Sequence, residues 1–135
     1  MRNLINALFL VAILLLIAAC APAPQPAAPA GGFTTISVGE LKARLDAGEE
    51  LLVLDVRTPE EYAQDGRIAG STLLPLQELP QRMGELPKGQ PIACFCRSGN
   101  RSRTACEQLA QAGFTNLVNV EGGIGAWRAA GYPFE

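Results

Sequence analysis

The chain has 135 residues, 48% of them hydrophobic, with 11 basic and 13 acidic side chains for a formal charge of −2. That length is room for one domain, and the mild acidity speaks against a nucleic-acid partner. No histidine is present, which removes Cys–His dyads, Ser–His–Asp triads and histidine-based metal sites together.

Met1 to Ala19 carries Arg2 ahead of an apolar run that starts at Ala7, the pattern of a secretory signal peptide over residues 1–19. The run ends at Ala21, short of the roughly 20 apolar residues a spanning helix needs. Ile17-Ala18-Ala19-Cys20 resembles the lipobox of bacterial lipoproteins. On that resemblance Cys20 is lipidated and becomes the mature N-terminus, so a membrane is a partner and the location is extracytoplasmic. Residues 20–33 then comprise the lipidated cysteine and a Pro/Ala-rich linker, whose alternating prolines favour an extended, semi-rigid spacer. Residues 34–135 remain for the folded domain.

Phe33 to Ile36 is a short strand candidate. Ser37 and Glu40 have capping-box spacing, which predicts a helix to about Ala47 with Leu41 and Leu45 on its apolar face. Leu51 to Leu54 is a continuous apolar run of the kind found in doubly covered strands, and it leads into Asp55-Val56-Arg57. Thr58 and Glu61 repeat the capping pattern, with Pro59 at the first helical position. A turn-rich stretch, Asp65 to Ser71, precedes a short strand around Thr72 to Leu74. Helical spacing follows from Leu76 to Met83. Next come a buried strand from Pro91 to Phe95, a helix predicted over Thr104 to Ala112, a strand from Asn116 to Val120, and a glycine-rich turn into a short helix through Trp127. Alternating strands and helices imply an α/β fold, with a mainly parallel, five-stranded sheet and helices on both faces. In such sheets ligands bind beyond the carboxyl ends of the strands, where the Asp55, Cys96 and Gly122 segments all emerge.

Four cysteines, Cys20, Cys94, Cys96 and Cys106, are too few and too irregularly spaced for a disulfide framework. Cys94 lies within an apolar strand and Cys106 on a helical face with Leu109, so both read as core. Cys96 differs, because it opens the loop Cys96-Arg97-Ser98-Gly99-Asn100-Arg101-Ser102 between a buried strand and a helix N-terminus. Backbone N–H groups, the positive end of the helix dipole and two arginines there favour a thiolate and attract anions. Asp55 and Arg57 read as supporting residues, an ion pair or brace for this loop. Neither glycine cluster has the G-x-G-x-x-G form, which disfavours a dinucleotide site, and the Cys94-x-Cys96 pair has no third and fourth ligand, so no cofactor or metal is expected.

With these residues in hand, Thr34 to Glu135 resembles the rhodanese family. Four separated motifs carry the resemblance: Leu54 to Tyr62, Gly66 to Ser71, Cys96 to Ser102, and Glu121 to Trp127. One departure is Arg67, where many members have histidine. The resemblance implies that Cys96 takes sulfane sulfur from a small anionic donor such as thiosulfate, holds it as a persulfide, and passes it to cyanide or a thiol. Arg97, Ser98, Gly99, Asn100, Arg101 and Ser102 would form the substrate-binding and persulfide cradle, in a monomer. Two other uses stay open. One is a phosphatase or arsenate reductase with the same Cys-to-Arg loop, although the four residues between Cys96 and Arg101 are one fewer than those relatives have. The other is a non-enzymatic persulfide carrier or partner-binding module.

Overall fold

The computed structural model describes residues 32–135. The signal-like segment 1–19, Cys20 and the linker through residue 31 lie outside the described residues. Strand β1 spans Phe33–Ile36, the stretch read from sequence as the first strand candidate. Helix α1, Val38–Asp46, starts where the capping box requires: the Ser37 hydroxyl accepts the Glu40 N–H and the Glu40 carboxylate accepts the Ser37 N–H. Strand β2 is Leu52–Asp55. Helix α2, Pro59–Gln64, has the same reciprocal cap between Thr58 and Glu61. Strand β3, Thr72–Leu73, is a two-residue edge.

The remaining elements are α3 at Leu79–Arg82 with a 3-10 turn at Met83–Glu85, β4 at Ile92–Phe95, α4 at Asn100–Gln111, β5 at Leu117–Val120 and α5 at Gly123–Ala129. Two of these depart from the sequence reading. The helix expected from Leu76 is shorter because Pro80, having no N–H, fits only the first helical turn. Helix α4 starts at Asn100 rather than Thr104. Its polar first turn gives no hydrophobic periodicity, and its N-cap Gly99 offers no capping side chain.

The five strands run in the order β1-β5-β4-β2-β3, and every pairing is parallel. Along β4, Ile92 and Cys94 join Leu54, Leu79, Cys106 and Leu109 on one side, while Ala93 and Phe95 join Leu41, Val53, Val120 and Trp127 on the other. Helices therefore cover both faces. Leu41, Leu54, Leu79, Ile92 and Leu109 are fully buried, each worth about 1.5–3 kcal/mol relative to an exposed side chain. The one tryptophan, Trp127, meets Phe95 edge-on at 6.4 Å and donates its indole N–H to the Pro133 carbonyl at 2.9 Å.

This topology sets neighbours at the carboxyl ends of the strands. Asp55 pairs in register with Phe95, and Val56 N–H donates to the Phe95 carbonyl at 2.9 Å. The Asp55–Arg57 segment and the loop after β4 thus leave the sheet side by side, with the end of β5 across from them.

Candidate active site

Cys96 follows β4 directly and is 1% exposed. Three hydrogen bonds from the start of α5 determine how the loop after it faces. Ile124 N–H donates to the Cys96 carbonyl at 2.9 Å, Gly125 N–H to the Arg97 carbonyl at 3.2 Å and Gly122 N–H to the Ser98 carbonyl at 3.1 Å. In a planar trans peptide the N–H points opposite to the preceding carbonyl. With the carbonyls of residues 96, 97 and 98 turned toward α5, the N–H groups of Arg97, Ser98 and Gly99 turn inward. Gly99 N–H donates to Cys96 Sγ at 3.1 Å.

Two glycines permit this arrangement. Gly99 has φ +103, and a Cβ there would lie 3.2 Å from the Glu121 Cα and from the Gly122 nitrogen. At Gly123, φ +50, a Cβ would collide with the Cys96 carbonyl oxygen and the Arg97 backbone. The Gly122-Gly123 pair, read from sequence as a tight turn, is also the surface on which the Cys96 loop rests.

Burial pushes the Cys96 thiol up. A hydrogen bond with the Ser102 hydroxyl, and others with the backbone N–H groups of Ser102, Gly99 and Ser98, outweigh it, and the net direction is down from the usual 9.0. Ser102 is the third residue of α4 and fully buried, with its Oγ 3.4 Å from Cys96 Sγ. The helix has no side-chain cap, so its first-turn N–H groups are free to face a negative sulfur.

The two arginines of the loop take different positions. Arg101 grips Glu61 on α2 with two parallel bonds, both 2.7 Å. That Arg101 pairing holds the Glu61 carboxyl down at about 2. Arg97 is 67% exposed, its guanidinium 3.9 Å from Asp65, and stands at the mouth with the exposed Ser98 and Asn100.

Asp55 and Arg57 are both fully buried and form a fork of three bonds, 2.7–3.0 Å, with the Arg57 backbone N–H adding another to Asp55. The Arg57 guanidinium also reaches the carbonyls of Glu61 and Gly66. The pair thus braces α2 and the turn after it, and α2 in turn presents Glu61 to Arg101. Glu61 was legible in the sequence only as a cap partner, because its second partner lies 40 residues away. Asn119 on β5 was not singled out at all, yet its Oδ1 lies 2.7 Å from Ser102 Oγ. The signal was there: a lone amide within the apolar run Leu117 to Val120.

Cys94 and Cys106 are fully buried in the core. A hydrogen bond with Cys106, and then burial, hold the Cys94 thiol well above its usual value, so it stays protonated at neutral pH. Arg67, at the position where histidine is common, pairs with the terminal Glu135 at 3.4 Å, and its guanidinium lies 5.3 Å from the Tyr62 ring centroid.

The site consists of a buried sulfur, faced by backbone donors and one hydroxyl, with the exposed guanidinium of Arg97 beside the loop. Comparison with known proteins places the domain in a family. The family described as rhodanese-like domain matches residues 37–130. A sulfurtransferase of Allochromatium vinosum is 44% identical over 93 residues, covering 69% of this chain and 86% of that protein. The thiosulfate sulfurtransferase GlpE of Pseudoalteromonas translucida is 35% identical over 98 residues, covering 73% of this chain and 91% of its own. Among solved structures, a rhodanese-related protein of Thermoplasma volcanium superimposes with a TM-score of 0.69 at 38% identity, covering 76% of this chain and 97% of that one. The chain therefore belongs to the rhodanese-like domain family.

Proposed function

We propose that this protein is a sulfurtransferase that carries sulfane sulfur on Cys96 from a small anionic donor such as thiosulfate to cyanide or a thiol. The observation that carries the reading is the Gly99 N–H on Cys96 Sγ at 3.1 Å, within a loop whose carbonyls are tied outward to α5. Those N–H groups are fixed before any ligand arrives, so stabilising a developing negative charge requires no reorganisation.

In the first half-reaction the Cys96 thiolate attacks the outer sulfur of thiosulfate. A new S–S bond forms, the donor's own S–S bond breaks, and sulfite leaves with the electron pair. The persulfide that remains is anionic at its terminal sulfur, which the inward N–H groups suit. In the second half-reaction the acceptor nucleophile attacks that sulfur and the Cys96 thiolate departs. Arg97 supplies positive charge at the mouth for the anionic donor. Arg101, committed to Glu61, holds the loop against α2. A ring with four residues between Cys96 and Arg101 suits a single sulfur better than a tetrahedral oxyanion.

The reading extends to location. The Ile17-Ala18-Ala19-Cys20 pattern supports a lipid on Cys20, which would place the domain on the outer side of a bacterial membrane. A side-by-side assay tests the chemistry: thiocyanate formation from thiosulfate and cyanide against phosphate release from an aryl phosphate, with Cys96→Ser as control. Thiocyanate formation lost in the variant is expected. Phosphate release without sulfur transfer would replace this reading by a phosphatase, and activity on neither would favour a binding module.

A further inference from the structure

Ser102 has one hydroxyl proton and faces three groups. Its Oγ lies 3.4 Å from Cys96 Sγ, 3.0 Å from the Gly99 carbonyl oxygen and 2.7 Å from Asn119 Oδ1. In this arrangement the Cys96 thiol donates to Ser102, and Ser102 donates onward to an oxygen. That suits a protonated sulfur. A thiolate or persulfide has no proton to give and requires the one on Ser102 instead. The Gly99 carbonyl tolerates the loss, because Arg103 N–H also donates to it at 3.2 Å. Asn119 Oδ1 does not: the residue is 2% exposed, and among the described residues only Ser102 bonds to its side chain. Two oxygens would then face each other 2.7 Å apart with no proton between them.

An asparagine can resolve this conflict where an aspartate or a leucine cannot. A half-turn about its Cβ–Cγ bond exchanges the amide oxygen with the NH2 group. Nδ2 then donates to Ser102 Oγ while Ser102 donates to sulfur. Asn119 also borders a polar cavity of about 60 Å³ shared with Thr35, Ser98, Asn100, Arg103 and Glu121. A space of that size and polarity accommodates a water for the other end of the amide.

We propose that Asn119 is a positioning residue for Cys96, its amide turning over when the sulfur becomes anionic so that Asn119, Ser102 and the sulfur form one line of donated hydrogen bonds. The inference rests on the reading of Cys96 as the sulfur carrier, since only a reacting anion uses that line. Only hydrogen bonds change, and the thiol proton leaves to solvent. The titratable groups around Cys96 are Arg101 on α4 and Cys94 on β4, with Glu61 on α2 and Asp55 on β2 facing Arg101 and Arg97 beside it in the loop. An uncharged replacement of Asn119 leaves their charges in place.

The test is the pH dependence of iodoacetamide alkylation at Cys96 in the full chain, for wild type, Asn119→Leu, Ser102→Ala and the double variant. Each single change is expected to raise the midpoint by about half to one pH unit, the size of one hydrogen bond. The double variant should match Ser102→Ala, because no line remains to break. An unchanged midpoint in Asn119→Leu, or additive effects in the double variant, would overturn the proposal. Should Asn119→Leu not fold, Asn119→Asp takes its place: a carboxylate only accepts, so the midpoint should rise by more than one unit, and an unchanged midpoint refutes the relay. Alkylation does not depend on sulfur transfer. A wild type with the expected profiles that never acquires sulfur from thiosulfate would fail the proposed function and leave the relay standing.

Discussion

Replacing Glu61 by glutamine removes the charge that fixes Arg101 and keeps the shape of the side chain, so it isolates the link between α2 and the Cys96 loop. In the folded protein the Glu61 carboxyl sits at about 2 instead of 4.5, chiefly through the two Arg101 hydrogen bonds. At about 1.4 kcal/mol per pH unit that difference has a ceiling of about 3 kcal/mol. One fifth of the Glu61 side chain and nearly one third of Arg101 remain exposed, and solvent screening reduces the expected contribution to about 1–2 kcal/mol. The folded value is depressed, so this stability is fully present above about pH 4.5 and is lost as the pH falls through about 2. Urea unfolding followed by Trp127 fluorescence at pH 7, 4 and 2.5 reads it directly. Glu61→Gln should be less stable than wild type by about 1–2 kcal/mol at pH 7, and the gap should narrow steadily toward pH 2.5. A gap below about 0.3 kcal/mol at pH 7, or one that does not change with pH, would refute the account of this ion pair.

Other substitutions test other parts of the site. Arg57→Ala leaves Asp55 buried with an uncompensated charge and should cost about 3–5 kcal/mol in urea unfolding, whereas a loss under about 1 kcal/mol would contradict the bracing role. Gly123→Ala forces a Cβ into the Cys96 carbonyl; a loss of about 2–4 kcal/mol is expected, and wild-type stability would mean the loop does not depend on that contact. Cys96 should alkylate with a midpoint below the usual 9.0, while Cys94 and Cys106 in the folded chain stay unlabelled at pH 7; equal labelling of all three would contradict the cradle. Radiolabelled palmitate should enter the wild type expressed in a bacterium and be absent from Cys20→Ser, and label retained in the variant would remove Cys20 as the anchor.

Much of this architecture was written locally in the chain. The Ser37–Glu40 and Thr58–Glu61 spacings announced helix starts that form as reciprocal caps, because capping is settled within four residues. The apolar run at Leu51 to Leu54 and the isolated Cys96 loop were legible for the same reason. Features that depend on distant partners were not. Glu61 looked complete as a cap partner, and only the parallel sheet, by setting β2 beside β4, brings Arg101 within reach. Helix α4 began earlier than expected because its first turn is served by the loop and its sulfur, so it carries no capping signature. Asn119 required β5 to be placed beside β4 before its amide could be seen facing Ser102.

The central claim is that Cys96 carries sulfur, and intact mass spectrometry after incubation with thiosulfate tests it most directly. The account predicts a gain of one sulfur atom per chain, removed by cyanide and absent in Cys96→Ser. No gain with thiosulfate or any other sulfane donor, or a gain that persists in Cys96→Ser, would contradict it.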